Sequence, residues 1–142
     1  MAPIEWLDHA ADIGFRVVGS SVDDVFEQAA RGLFTAMVDV DAVVPVTVYR
    51  TQLSAPSLED LMVKWLSDLV AQKEITGLVF GRFRVHIEEE TAKRHRIVGD
   101  AWGEPIEAQR HHPRNEVKGI SYLGLKVEPQ GGHWMAQVIV DV

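Results

Sequence analysis

Three features of the sequence predict a single-domain α+β fold. The chain has 142 residues, a length that commonly forms one unit and can bury a core without disulfides or a structural metal. Two segments carry apolar residues at three- and four-residue spacing, the stripe of a helix lying on a core. Most of the remainder divides into short runs of branched and aromatic residues bounded by turn signals, the pattern of strands.

The elements follow in order. A first strand is read over residues 13–17. From Ser21 the residues Val22, Val25, Phe26, Ala29, Leu33 and Met37 line one helical face. Ser21 is the expected cap, with Asp24 three residues on in a variant capping box. A second strand over residues 46–53 leads to Pro56 and Ser57, from which Leu58, Leu61, Met62, Trp65, Leu66 and Leu69 repeat the helical stripe. Asp60 holds the corresponding capping position, and Gly77 marks where the helix has ended. Phe83, Val85 and Ile87 alternate as a third strand, and further strands are read over residues 96–102, 119–127 and 134–141. The last two form a hairpin across the turn at Pro129-Gln-Gly-Gly132. The result is two amphipathic helices packed on a largely antiparallel or mixed β-sheet, with residues 1–142 as a single domain and no linker.

Composition removes several functional classes. With no cysteine, there is no disulfide scaffold, thiolate zinc finger or cysteine nucleophile, and any metal must be held by oxygen or imidazole. No apolar stretch approaches the ~20 residues that span a bilayer, and no basic flank precedes an apolar run at the amino terminus, so a cytoplasmic protein without a membrane role is expected. The formal net charge of −7 has the wrong overall sign for gripping phosphate backbones. The basic clusters at residues 93–96 and 110–114 are short and read as solvated loop charge.

Two places could hold chemistry. Asp8, His9 and Asp12 fall within five positions at the lip of the first strand, where a carboxylate serves as a hard-cation ligand if the fold brings a second one beside it. At the other end, the apolar strand through Val138, Ile139 and Val140 runs into Asp141 and Val142. A terminal carboxylate next to Asp141 fixes two negative groups on adjacent residues, and oxygen-only ligation suits Ca²⁺, Mg²⁺ or Mn²⁺ better than zinc or copper. His111 and His112 make a poor zinc pair, because neighbouring strand residues point to opposite faces. There is no G-x-S-x-G elbow, no P-loop and no dinucleotide fingerprint, so nothing local reads as a catalytic site. The segment from Glu116 to Gly124, with Lys118 and Tyr122 among apolar residues, is a candidate docking edge for a partner protein.

His9-Ala-Ala-Asp-Ile-Gly-Phe-Arg-Val17, a capped helix, Gly77-Leu-Val-Phe80 with Phe83, Glu116-Val-Lys-Gly-Ile-Ser-Tyr122 and the ending Val138-Ile-Val-Asp-Val142 together resemble the archease family from end to end. No single motif is specific; their order and spacing are. One departure is Ala10, where the family usually has threonine or serine, so a supporting hydroxyl hydrogen bond is missing.

The resemblance implies an accessory protein, not an enzyme, that activates the GTP-dependent RNA-splicing ligase of tRNA splicing and RNA repair by promoting its guanylylation and multiple turnover. RNA would be met through the ligase. It also implies a divalent metal ion held by Asp12, Asp141 and Val142, with His9, Asp8, Lys118 and Tyr122 as supporting or partner-contact residues. Two other classes stay open on the residues alone. One is a metal-dependent phosphoester hydrolase using His9 as general base. The other is a chaperone or scaffold with no metal requirement.

Overall fold

The computed structural model describes residues 3–7 and 12–142. Its elements run β1 (Glu5–Leu7), β2 (Asp12–Gly19), α1 (Val22–Met37), a single 3₁₀ turn (Val40–Ala42), β3 (Thr47–Ala55), α2 (Leu58–Thr76), β4 (Leu78–Thr91), β5 (Arg94–Pro105), α3 (Ala108–His111), β6 (Gly119–Gln130) and β7 (His133–Asp141). The α+β expectation holds, with one refinement. The strands form two sheets, ordered β1-β2-β7-β6 and β3-β5-β4, and every pairing among the described residues is antiparallel.

Local sequence sets the helix ends. Ser21 and Ser57 are extended caps whose hydroxyl oxygens accept the Asp24 and Asp60 amides at 3.0 and 3.1 Å, satisfying donors that the first helical turn leaves free. The Asp24 carboxylate reaches back to the Ser20 amide at 2.8 Å, one residue before the usual capping-box partner. Gly77 stops α2 at φ 74°, a left-handed conformation that glycine adopts without steric cost.

Each helix touches both sheets: α1 meets β2, β7 and β4, while α2 meets β6, β3 and β5. The core lies along these contacts, with Phe15, Phe26, Phe34, Trp65 and Phe80 fully buried. Trp65 lies against β5 where a Cβ on Gly99 would come within 2.6 Å of its ring, so only glycine admits that approach.

Helix α1 also closes a sheet edge. The outward amides of Val85 and Ile87 on β4 donate to Glu27 and Asp23, each at 2.9 Å. Four helical residues rise ~6 Å and two strand residues ~6.6 Å, so one turn of carboxylates matches two free strand donors. Burial pushes the Glu27 carboxyl above its ordinary range, and the Val85 amide pulls the other way. An edge that could pair with another chain is thereby occupied.

Some segments differ from the sequence reading. β1 is an additional strand. β4 begins at Leu78, directly after α2, because a bulge between Phe80 and Arg82 breaks the alternation that marks its later part. Of the first basic cluster, only Lys93 occupies the turn; Arg94, His95 and Arg96 belong to β5.

Candidate functional site

The two ends of the described chain meet in the first sheet. β2 and β7 pair in a register that sets Asp12 directly opposite Asp141, followed by Ile13 opposite Val140 and Gly14 opposite Ile139. Cβ atoms in such a pair lie ~4.5–5.5 Å apart on one face, where like charges destabilise the ladder. Val138 and Val140 are fully buried and Ile139 nearly so, while Asp141 is exposed and Asp12 half-buried. The apolar strand therefore anchors a carboxylate pair at the edge of the core. β6 closes the other side, with Gly119 opposite Asp141 and the Lys118 amide donating to the Asp141 carbonyl at 2.7 Å. Val142 continues one residue beyond.

This placement bears differently on each sequence candidate. Asp12, Asp141 and Val142 come to one end of the sheet, and the Lys118 main chain joins them with its side chain exposed. Tyr122 lies further along β6, where the register slips between Ser121 and Lys126. It is 60% exposed beside Leu123 at 71%, so the candidate docking edge does present apolar surface. Asp8 and His9, like Ala10, lie outside the described residues. Among the described residues no three histidine or acidic side chains gather as a ligand set; what the fold assembles is a pair of carboxylates. Hard oxygen donors in that arrangement fit a divalent cation such as Ca²⁺, Mg²⁺ or Mn²⁺.

The second basic cluster is not solvated loop charge, and this corrects the sequence reading. Arg110 and His111 lie on the short α3, and His111 is fully buried. Arg110 forks over the Glu104 carboxylate at 2.5 and 2.9 Å, the Val44 amide donates to it at 2.7 Å, and His111 Nε2 lies 3.0 Å away. Because the Glu107 amide donates to His111 Nδ1 at 2.8 Å, the ring proton belongs on Nε2, facing Glu104. Arg110 first, then the Val44 amide and His111, hold the Glu104 carboxyl down at about 2, against the opposing effect of burial. The network ties the segment after the 3₁₀ turn to the end of β5. His111 and His112 do not form a metal pair, since His111 is committed to Glu104 and His112 turns outward in a left-handed conformation at φ 48°. No local sequence signal marks this network, since the burial of Glu104 follows from the assembled fold.

A surface cavity of about 430 Å³ lies between β1 and the end of α1, lined by Trp6, Arg31, Thr35, Asp39 and Arg114 among others. Its arginines are engaged within the chain, Arg31 with Asp41 at 2.8 Å and Arg114 with the Thr35 carbonyl at 2.9 Å. It does not include Asp12 or Asp141. No helix among the described residues is long and apolar enough to cross a membrane.

Comparison with known proteins gives a consistent result. The model of the Archease protein family matches residues 5–142. The chain is 39% identical over 139 residues to a protein named archease from Thermococcus gammatolerans, covering 97% of each. Its fold matches the solution structure of a Methanobacterium thermoautotrophicum protein with TM-score 0.86 at 29% identity, covering 98% of both chains. A Thermotoga maritima crystal structure, described as an archease and possible chaperone, matches with TM-score 0.59 at 22% identity over 96% of this chain and 94% of that one; that likeness speaks to the fold.

Proposed function

Because the chain belongs to the Archease protein family, we propose that it is an accessory protein that activates the GTP-dependent RNA-splicing ligase, acting on the ligase and not on a substrate of its own. The relatives it matches are named as a protein and not for a reaction, in keeping with a non-enzymatic role.

The observation that carries the reading is the cross-strand pairing of Asp12 with Asp141. Two carboxylates held opposite each other repel, and a divalent cation between them would supply the compensating positive charge. Asp12 and Asp141 would hold it, with Val142 adding an oxygen from the next residue. The acidic tip, on a chain of net charge −7, is drawn toward a positively charged nucleotide and RNA cleft, because complementary potentials speed encounter. Activation then requires only that the tip bind one ligase conformer better than others, since differential affinity shifts the population. Lys118, just before β6, and Tyr122, on β6, would contribute contacts to the same partner.

The test is the guanylylation rate of the cognate ligase under limiting Mn²⁺, with and without this chain. Stimulation lost in Asp12→Ala and Asp141→Asn is expected. An unchanged rate on adding the wild-type chain would end the proposal.

A further inference from the structure

The second sheet has one face on the helices and one in water. On its buried side lie Ile97, Gly99 and Ala101 of β5, over Trp65. The opposite side carries the alternate residues, and the register sets them in rows across the three strands. Val48, Trp102 and Arg82 share one row, and Arg50, Asp100 and Arg84 the next. Arg96 of β5 follows on the same face, opposite Glu88 of β4.

The chemistry of this face departs from that of the whole molecule. Four arginines stand against two carboxylates here, on a chain whose acids outnumber its bases 21 to 14. Arg50 pairs with Asp100 at 3.4 Å and Arg96 lies 3.9 Å from Glu88. Arg82 and Arg84 are exposed, with no ion pair to a carboxylate among the described residues. Arg82 lies over the Trp102 ring, 5.1 Å from its centroid. Val48 and Val98 add apolar surface, 38% and 36% exposed. A sheet face bearing an aromatic ring, guanidinium planes and surplus positive charge is what unstacked nucleic-acid bases and their phosphates use together.

We propose that the outer face of the β3-β5-β4 sheet binds single-stranded RNA. A base stacks on the Trp102 indole or on the Arg82 guanidinium above it, and phosphates run past Arg84 and Arg50. Arg82 and Arg84, two residues apart on β4, are separated by ~6.6 Å, so they reach successive phosphates of an extended strand. Single-stranded nucleic acid fits better than an acidic protein segment, because an acidic peptide would use the arginines and leave Trp102 without a role. It fits better than a duplex, whose bases are not available to stack. The inference goes beyond the ligase reading and stands on residues of the other sheet.

The experiment is fluorescence anisotropy of a labelled oligouridylate of about 12 nucleotides, a length within single-strand site sizes, titrated with the full chain. Binding should weaken with salt, each phosphate contact adding roughly −0.7 to the slope of log affinity against log salt. The Arg82→Gln, Arg84→Gln double variant should bind at least about tenfold more weakly and lose roughly 1.4 of that slope. Trp102→Ala should cost about fivefold or more, and Trp102→Phe should restore most of it, since a phenyl ring still stacks. Thermal melts of each variant separate lost binding from lost fold, and the two exposed arginines keep the test open if Trp102→Ala unfolds. No binding at low salt overturns the proposal, as does equal binding by the double glutamine variant. Displacement of the RNA by polyglutamate, with Trp102→Ala binding as well as wild type, overturns it by showing a site for acidic protein. Guanylylation measured without RNA distinguishes the two readings: Asp141→Asn should lose stimulation and keep RNA binding, and the arginine variant the reverse.

Discussion

The indole Nε1 of Trp65 donates a 3.1 Å hydrogen bond to the main-chain oxygen of Phe26, joining α2 to α1 in the centre of the core. Both residues are fully buried. Trp65→Ala is therefore predicted to destabilise the chain by about 3–5 kcal/mol through the cavity it leaves. Gly99→Ala places a methyl against the same ring, at a contact of 2.6 Å, and should cost about 1–3 kcal/mol by overpacking. Trp65→Phe removes the ring atoms that methyl would strike. Combined with Gly99→Ala, it should cost less than the sum of the two single changes. Urea denaturation of the single variants and the double variant checks this, and strict additivity of Trp65→Phe with Gly99→Ala would show that the ring and the sheet are not in contact as described.

Asp12 and Asp141 lead to the opposite expectation. Asp12 faces a like charge across the ladder, so Asp12→Ala should leave the fold intact and stabilise it by about 0.2–1 kcal/mol in metal-free buffer, while abolishing ligase stimulation. A melting temperature several degrees lower than wild type in EDTA would assign Asp12 a structural role and remove it from the site.

These two cases show what the sequence makes legible. The stripe through Trp65 and Phe26 has helical period and correctly places both in the core, because burial follows from period alone. Ser21, Ser57 and Gly77 mark their helix ends for equally local reasons. The division into two sheets has no local signal, since it depends on β2 pairing with β7 from the far end of the chain. β1 spans three residues, too few to show alternation. The meeting of Asp12 with Asp141 was expected from the resemblance and from the need to compensate charge, but the register that faces them is a property of the assembled sheet. Glu104 shows the limit most clearly. Its partners come from Val44 and α3, and their residue types alone suggest solvated surface.

Acid stability tests that network. With its carboxyl held down to about 2 from an ordinary value of 4.5, Glu104 binds its proton more weakly in the folded chain than in the unfolded one. Its contribution is full above pH 4.5 and is lost as pH falls toward about 2. Glu104→Gln is predicted to lower stability near neutral pH, because Arg110 loses its charged partner, and to flatten the decline between those two values. Denaturation midpoints measured across that range check it. A parallel decline in both proteins would show that other carboxylates account for the acid transition.

The final prediction concerns Val142, the residue after Asp141, where the proposed ligand set is completed by position and not by side chain. An oxygen from Val142 can serve a cation at Asp12 and Asp141 only if the chain there stays uncrowded and keeps its place. Asp141 is held by β2 and β6 on either side, and the Lys118 amide occupies its carbonyl, so the next residue has little freedom to adjust. A tag fused after Val142 adds bulk at the site. It should weaken Ca²⁺ or Mn²⁺ binding, whereas a tag before Met1, which precedes every proposed ligand in the chain, should be tolerated. The measurement is the rise in melting temperature with added metal, which reports affinity by mass action. A smaller rise for the carboxyl-terminal fusion than for the amino-terminal one is expected. Equal rises would remove Val142 from the ligand set, and the separate metal responses of Asp12→Ala and Asp141→Asn would then decide whether the carboxylate pair binds alone.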